Sequence, residues 1–506
     1  MSPRSTSRVL PEQDVPRWDE RRDVVVVGLG IAGGAAAIEA ARAGADTLVL
    51  ERMTRGGGAT ALSTGITYFG GGTPIQKACG FEDSVEDMKA FVTLAAGAQA
   101  DPERIRLYCE GSLEHFEWFR SLGIEFKETF IAEKTTHPFT DDCLTFSGNE
   151  EAWPHAAATR PVPRGHKPAR EGEAGGFLME AVLRGVSDAG ATVVNECRAS
   201  RLVVDESGRV VGIAARREGR PFFVRARRGV VLATGGFIFD REMVARHAPH
   251  LLECRYRVGT EGDDGSGIRM GLAAGAEAIH MSEGLVLNAY YPPASHLKGI
   301  LVDGAGRRFV NEDSYLGRTS DAILRKADGV AYLIVDDDLY GRTQAAHRLA
   351  AVEETVEALE KALSMPPGAL VQTVETYNRW AERGEDPVFH KAARYLKPLT
   401  AAPLGALDCR ASHSIFGAFT LGGLAARATG EVLDADASRI EGLYAAGRCT
   451  SGLCREGRSY ASGLSIGDGS FFGRLAGRSA AAHEPARDTD APSPSASAGA
   501  RSPGRL

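Results

Sequence analysis

The chain has 506 residues, 43% hydrophobic and 25% charged, with 60 glycines; single cores stop growing at roughly 250–300 residues, so two interleaved domains are expected and a lone binding module is excluded. A net charge of −7 without a basic run lacks the footprint of a nucleic-acid binder and fits a small-molecule partner. No window approaches the about 18–20 apolar residues of a membrane span, the N-terminus has no apolar signal segment, and the eight cysteines form no CxxC pair, so a cytoplasmic protein without stable membrane insertion or a metal site is expected.

Residues 1–20 are polar and proline-containing and read as an N-terminal arm. Val24–Val27 is an all-valine run that suits a strand buried on both faces of a parallel sheet. Small, helix-permissive residues follow from Ile31 to Ala43, then a second buried strand at Thr47–Leu50, giving strand, helix, strand. Residues 102–122 and 173–190 are predicted helical. Short strands around Val193, Leu202, Val210, Phe222 and Gly229, split by turn signals such as Glu206–Gly208, predict a meander returning to the main sheet. From about Ser282 to Leu404 the pattern changes to turns, strands at 299–303 and 331–336, and a helical stretch over 352–384. This predicts a cap, residues 284–404, inserted into a nucleotide-binding unit made of 21–283 and 405–483, in which a glycine-rich segment after Ser462 precedes a closing helix. Residues 484–506 are rich in Pro, Ser and Ala without apolar periodicity and cannot offset the entropy of ordering, so a disordered tail is expected.

Gly28-Leu-Gly30-Ile-Ala-Gly33 directly follows the first strand and opens the helix. Its glycines permit the tight turn and the close approach of backbone to a pyrophosphate. Glu51, ending the second strand, can accept hydrogen bonds from ribose hydroxyls. With VVLATGG at residues 230–236, these cues predict a dinucleotide site and leave NAD and FAD both open.

Four strings go further: ERMTRGGGATALSTG at 51–65, the ATGG segment, GILVDGAGRRFVNED at 299–313 and GLYAAGR at 442–448. Together they resemble the flavoprotein family of fumarate reductases, succinate dehydrogenase flavoprotein subunits and ketosteroid dehydrogenases, over nearly all of residues 20–483. The resemblance implies an α/β fold, a Rossmann-type FAD-binding domain with an inserted α+β catalytic cap, and FAD as cofactor. It implies cofactor contacts from Gly28, Gly30, Ala32 and Gly33, from Glu51, Arg52, Gly58, Ala59 and Thr60, from Ala233, Thr234 and Gly235, and from Ala446, Gly447 and Arg448. A helix starting near Ser465 is implied to aim its positive N-terminus at the flavin's pyrimidine edge, with backbone contacts from Ser465 and Ile466. Arg448 stands where the family usually carries an acid. Members that attach flavin covalently have a histidine after the second strand; Gly57–Ala61 has none, which implies non-covalent FAD.

Fumarate reductases of this family neutralise two carboxylates with arginines and histidines, including an arginine four residues after the glutamate that matches Glu312. Leu316 stands there, Arg318 lies two positions on, and LNAYYPPASH at 287–296 replaces the family's histidine-proline-threonine stretch. Tyr315 and the Tyr460-Ala461-Ser462-Gly463 cluster remain, neutral hydroxyls suited to an apolar ketone. GGGTPIQKACGF at 70–81, Glu312-Asp313-Ser314-Tyr315, and CTSGLCREGRSYASGLSIGDGSFFGRLAG at 449–477 resemble the 3-ketosteroid Δ4-(5α)-dehydrogenases within the family. That likeness implies loss of a proton beside the ketone of a 5α-3-ketosteroid and of a hydride from the adjacent carbon to FAD, creating the Δ4 double bond. It implies catalytic roles for Tyr315, Tyr460 and Ser462, and substrate binding by the Gly463 amide. Taken alone, a tyrosine is ordinarily a core residue with its hydroxyl bonded locally, Ser462 a helix cap, and Arg318, His166 and His296 structural. The alternatives are a Δ1-dehydrogenase, against which Ser314 before Tyr315 argues, a fumarate or enoic-acid reductase, and a flavin-binding regulator without turnover. A small apolar ketone, by resemblance a steroid, is the expected partner, with an unknown electron acceptor.

Overall fold

The computed structural model describes residues 8–486 except 344 and 346; the predicted tail beyond 486 and the first residues of the arm lie outside the described residues. Strand β1 (Glu20–Val27), helix α1 (Ile31–Arg42) and strand β2 (Thr47–Leu50) form the opening unit. Val24 and Val26 pack into one core, Val25 and Val27 into another, so the sheet is buried on both faces and tolerates no polar alternation. Helix α2 (Gly175–Asp188) leads to β3 (Thr192–Val194). Strands β4 (Cys197–Val204), β5 (Val210–Arg217) and β6 (Arg220–Leu232) then form the antiparallel meander. The end of β6 runs parallel to β1 on one side and to residues 439–445 on the other. Five parallel strands follow in the order 439–445, β6, β1, β2, β3, a Rossmann-type arrangement whose ligand crevice lies at the strands' carboxyl ends.

The sequence predicts separate strands at Phe222 and Gly229, whereas β6 is continuous. Arg227 and Arg228, between the two, sit at a register shift against β1 and pair with Asp23. Residues 10–11 and 484–486 lie against the main sheet. Leu10–Pro11 pairs parallel with Val203–Val204, and the Ala486 N–H donates to the Arg227 carbonyl at 2.6 Å, so residues 484–486 are held rather than loose.

A four-stranded antiparallel sheet runs in the order 300–303, 331–336, 404–408, 349–353, with helix Val356–Ala362 packed on it and Ala369–Ala381 following. Residues 349–353 are a strand, not the start of the predicted helical stretch; helix begins only after Thr355, whose side chain caps the Ala358 amide. The apolar run Leu404–Asp408 pairs with 331–336, carrying this sheet past the boundary expected at 404. Strand β7 (Gly284–Asn288), helix α3 (Leu316–Lys326) and strand β8 (Phe416–Thr420) join the two units, β7 pairing antiparallel with β8.

Strand β9 (Arg439–Ala445) returns to the main sheet and helix α4 (Leu464–Ala482) closes it. The glycine-rich segment that the sequence sets apart from the closing helix is α4 itself. Gly469, Gly473 and Gly477 recur every four residues and face α1. A Cβ on Gly473 would lie 2.5 Å from the Ala32 carbonyl oxygen, and one on Gly477 2.1 Å from that of Ala36, so the helices meet backbone to backbone. Among the described residues no helix is long and apolar enough to cross a membrane.

Candidate active site

A cavity of about 570 Å³ opens at the carboxyl ends of β1, β2 and β6. Gly28 has φ +98°, and a Cβ there would lie 2.6 Å from the Ala233 carbonyl oxygen. Gly30 caps α1 without a side-chain hydrogen bond, leaving the positive N-terminus of α1 facing the cavity. A Cβ on Gly30 would meet nothing nearer than the Gly57 carbonyl at 4.0 Å, so a ligand can approach the bare backbone. Gly33 does not line the cavity; a Cβ there would lie 1.9 Å from the Gly28 carbonyl oxygen, so its role is to let the helix start against the turn. Buried Glu51 accepts the Leu29 and Met53 amides, both at 2.8 Å, which fixes its carboxylate on the wall. Ala32, Arg52, Gly58, Ala59, Thr60, Ala233, Thr234, Gly235, Ala446, Gly447, Arg448, Ser465 and Ile466 all reach the same cavity.

Arg448 donates to Asp263 at 2.8 Å and lies 5.2 Å over the Phe419 ring, while its buried Nη1 has no hydrogen-bond partner. Asp263 also accepts the Gly236 and Thr260 amides. The carboxylate absent after the AAG is thus present beside it, on another segment.

Tyr315, Tyr460, Ser462 and Gly463 line the same cavity. Tyr315 precedes α3, and its ring centroid lies 6.4 Å from that of Tyr460. Burial pushes the Tyr315 phenol above the usual tyrosine range, with neighbouring Tyr460 adding to this and the Ser462 hydroxyl pulling it back. Burial and Cys454 likewise raise Tyr460. Both are therefore neutral hydroxyls at physiological pH. The Tyr460 oxygen accepts the Ser465 amide at 3.2 Å and donates to the Ser465 hydroxyl at 3.0 Å, so the first turn of α4 polarises it. Gly463, at φ +96°, turns the chain into α4. The lining includes an apolar wall: Leu285 and Leu287 of β7 and Ala289 just after it, alternate residues, with Phe419 paired opposite Leu285, and Val258 and Leu316.

Residues 23–458 match the family model described as FAD binding domain. The chain belongs to this family. It is 46% identical, with a TM-score of 0.89, to the crystal structure of 3-ketosteroid-Δ4-(5α)-dehydrogenase from Rhodococcus jostii RHA1 in complex with 4-androstene-3,17-dione, over 94% of this chain and 99% of that one. It is 28% identical to 3-oxo-5-alpha-steroid 4-dehydrogenase of Comamonas testosteroni, covering 86% of this chain and 94% of the relative. Urocanate reductase of Eggerthella lenta is 30% identical, with 91% and 74% covered. The flavoprotein resemblance and the FAD-dependent oxidoreductase assignment read from the sequence both stand on these matches.

The residues present fit FAD: bare glycine backbone at Gly28 and Gly30, a helix N-terminus, a fixed carboxylate at Glu51, and an unpartnered guanidinium nitrogen at Arg448. Arg318 is not among the cavity-lining residues and lies 5.9 Å over the Trp153 ring. His166 is held between the Arg164 carbonyl and the Thr73 hydroxyl, both at 2.9 Å. His296 is held between the Tyr290 carbonyl and the Gly341 amide. Asp263, Phe419 and the β7 wall were not singled out from the sequence, although the alternation in Leu285-Val-Leu287-Asn-Ala289 is a strand signal. Among the described residues no group of three or more His, Cys, Asp or Glu could hold a metal ion.

Proposed function

We propose that this flavoenzyme dehydrogenates a 5α-3-ketosteroid, introducing the Δ4 double bond. The observation that carries the reading is the meeting of Tyr315, Tyr460 and Ser462 in one cavity with an apolar wall and with the residues that fit FAD. Tyr460, whose oxygen accepts the Ser465 amide, turns its one hydrogen from the Ser465 hydroxyl to the ketone oxygen and stabilises the enolate that forms there. One of the hydrogen-bonded Ser462 and Tyr315 hydroxyls takes the proton from the neighbouring carbon while its own proton passes through the other to solvent, so the pair ends neutral. Bound FAD supplies the two-electron acceptor for the hydride from the next carbon. The names of the Rhodococcus and Comamonas relatives support this substrate class.

A dicarboxylate substrate fits less well. The four arginines that reach the cavity are paired with carboxylates: Arg52 and Arg198 with Asp264, Arg55 with Glu180 and Arg448 with Asp263. Non-covalent FAD and a cytoplasmic location belong to the same proposal; Gly57–Ala61 lacks histidine, and all eight cysteines are free thiols, as in a reducing compartment.

The test mixes the FAD-loaded protein anaerobically with 5α-androstane-3,17-dione in a stopped-flow instrument. Rapid bleaching of the flavin band with a Δ4 product is expected, and acid precipitation should leave the yellow flavin in the supernatant. No bleaching, together with reoxidation of dithionite-reduced protein by fumarate, refutes the steroid reading.

A further inference from the structure

Ser147, Gly148, Asn149 and Glu150 do not line the cavity, yet each meets the chain that carries the proposed hydroxyls. The Ser462 N–H donates to the Ser147 carbonyl at 2.8 Å, and the Ser147 hydroxyl donates to the Ser462 carbonyl at 2.9 Å. A Cβ on Gly148 would lie 2.5 Å from the Ala461 methyl, so only bare backbone passes beneath it. Asn149 Oδ1 accepts the Tyr315 N–H at 2.8 Å. Glu150 accepts the Tyr68 hydroxyl at 3.1 Å, and the Tyr68 N–H donates to the Gly463 carbonyl at 3.2 Å. Four consecutive residues thus engage 462, 461, 315 and, through Tyr68, 463. Asn149 and Glu150 are fully buried and Ser147 nearly so.

The Tyr315 turn is gripped from elsewhere as well. The Tyr290 hydroxyl donates to the Glu312 carbonyl at 2.7 Å, the Tyr291 hydroxyl to that of Ser314 at 3.4 Å, and Lys134 to that of Asp313. These bonds hold the turn in the cap, whereas the Asn149 segment ties it to Ser462 within one run of four residues.

We propose that Asn149 and Ser147 are positioning residues for the dehydrogenation, holding Tyr315 and Ser462 in mutual register from one short segment. The inference rests on the catalytic reading of those two hydroxyls. Proton transfer between them needs heavy atoms about 2.6–3.2 Å apart, and a displacement of about 1 Å can cost on the order of 100-fold in rate.

The test compares Asn149→Ala, Asn149→Asp and Ser147→Ala in the FAD-loaded enzyme. Asn149→Ala should slow flavin reduction by 5α-androstane-3,17-dione about 30- to 100-fold with KM changed less than about two-fold. Asn149→Asp keeps the accepting oxygen and loses no bond, since Asn149 Nδ2 has no partner, and its carboxyl, fully buried beside Glu150, stays protonated toward the acid side of the assay range, where it should recover most of the rate. Ser147→Ala should fall between. Amide hydrogen exchange, read by mass spectrometry, should quicken in Asn149→Ala both in the peptide holding Tyr315 and in that holding Ser462. Full activity in Asn149→Ala, or equal loss in the Asp and Ala variants, overturns the proposal. Should the wild type itself fail to react with the steroid, the functional reading falls and exchange alone decides: quickening of both peptides supports the shared register, and quickening of one or neither refutes it.

Discussion

Gly477→Ala adds one methyl where α4 meets α1. Its Cβ would lie 2.1 Å from the Ala36 carbonyl oxygen and 2.8 Å from both the carbonyl carbon and Cα of Ala36, against about 3.5–4.0 Å for a relaxed carbon contact. All three atoms are backbone and cannot rotate aside, so the helices must separate by about 1 Å. Overpacking costs about 1–3 kcal/mol, and an unyielding target places this case near 3. Alanine's better helix propensity offsets about 1. The variant should therefore lose about 2 kcal/mol, and Gly473→Ala, whose Cβ would stand 2.5 Å from its carbonyl, should lose less in the same direction. Urea titrations read by circular dichroism and by flavin fluorescence on release measure this. Because α1 begins at the cofactor turn, both signals should shift together. A gain of about 1 kcal/mol, the propensity term alone, would refute backbone contact between the helices.

His155 is buried, both ring nitrogens lack partners, and burial pulls its pKa down to about 4 from 6.5, with Arg318 adding to the effect. The folded value is depressed, so the stabilisation of the neutral ring is complete above pH 6.5 and is lost as the pH falls through 4. His155→Phe should remove up to roughly 3 kcal/mol of that acid loss, at about 1.4 kcal/mol per pH unit; urea midpoints from pH 7 to 4 that stay parallel to wild type would refute this. Arg448→Ala leaves Asp263 with only its two amide donors and should weaken FAD retention at least about tenfold, as read by flavin fluorescence titration. Unchanged retention would separate Arg448 from the cofactor.

The βαβ opening was legible because four valines in a row and a glycine turn leave few alternatives. The three hydroxyls were legible only through long shared strings, since a tyrosine by itself does not say whether its oxygen faces a ligand or a carbonyl: Tyr290 and Tyr291, equally visible, bond backbone. The continuity of β6 across Arg227 and Arg228 was not legible, because what receives their charge, Asp23, lies some two hundred positions away. The glycines of α4 misled because helix propensity counts against them, while their value lies in contact with a helix distant in sequence. Asn149 and Asp263 carried no local pattern at all; each acts on residues more than a hundred positions away.

Leu10 and Ala486 pack into one small apolar cluster with Val203, Val211 and Ala214, none of which lines the cavity. Between residues 10 and 486 the described chain thus nearly closes on itself. A short linker joining residues near 10 and 486, with new ends cut at the exposed turn around Gly384, where a Cβ would touch nothing, should give a circular permutant with every cavity contact intact.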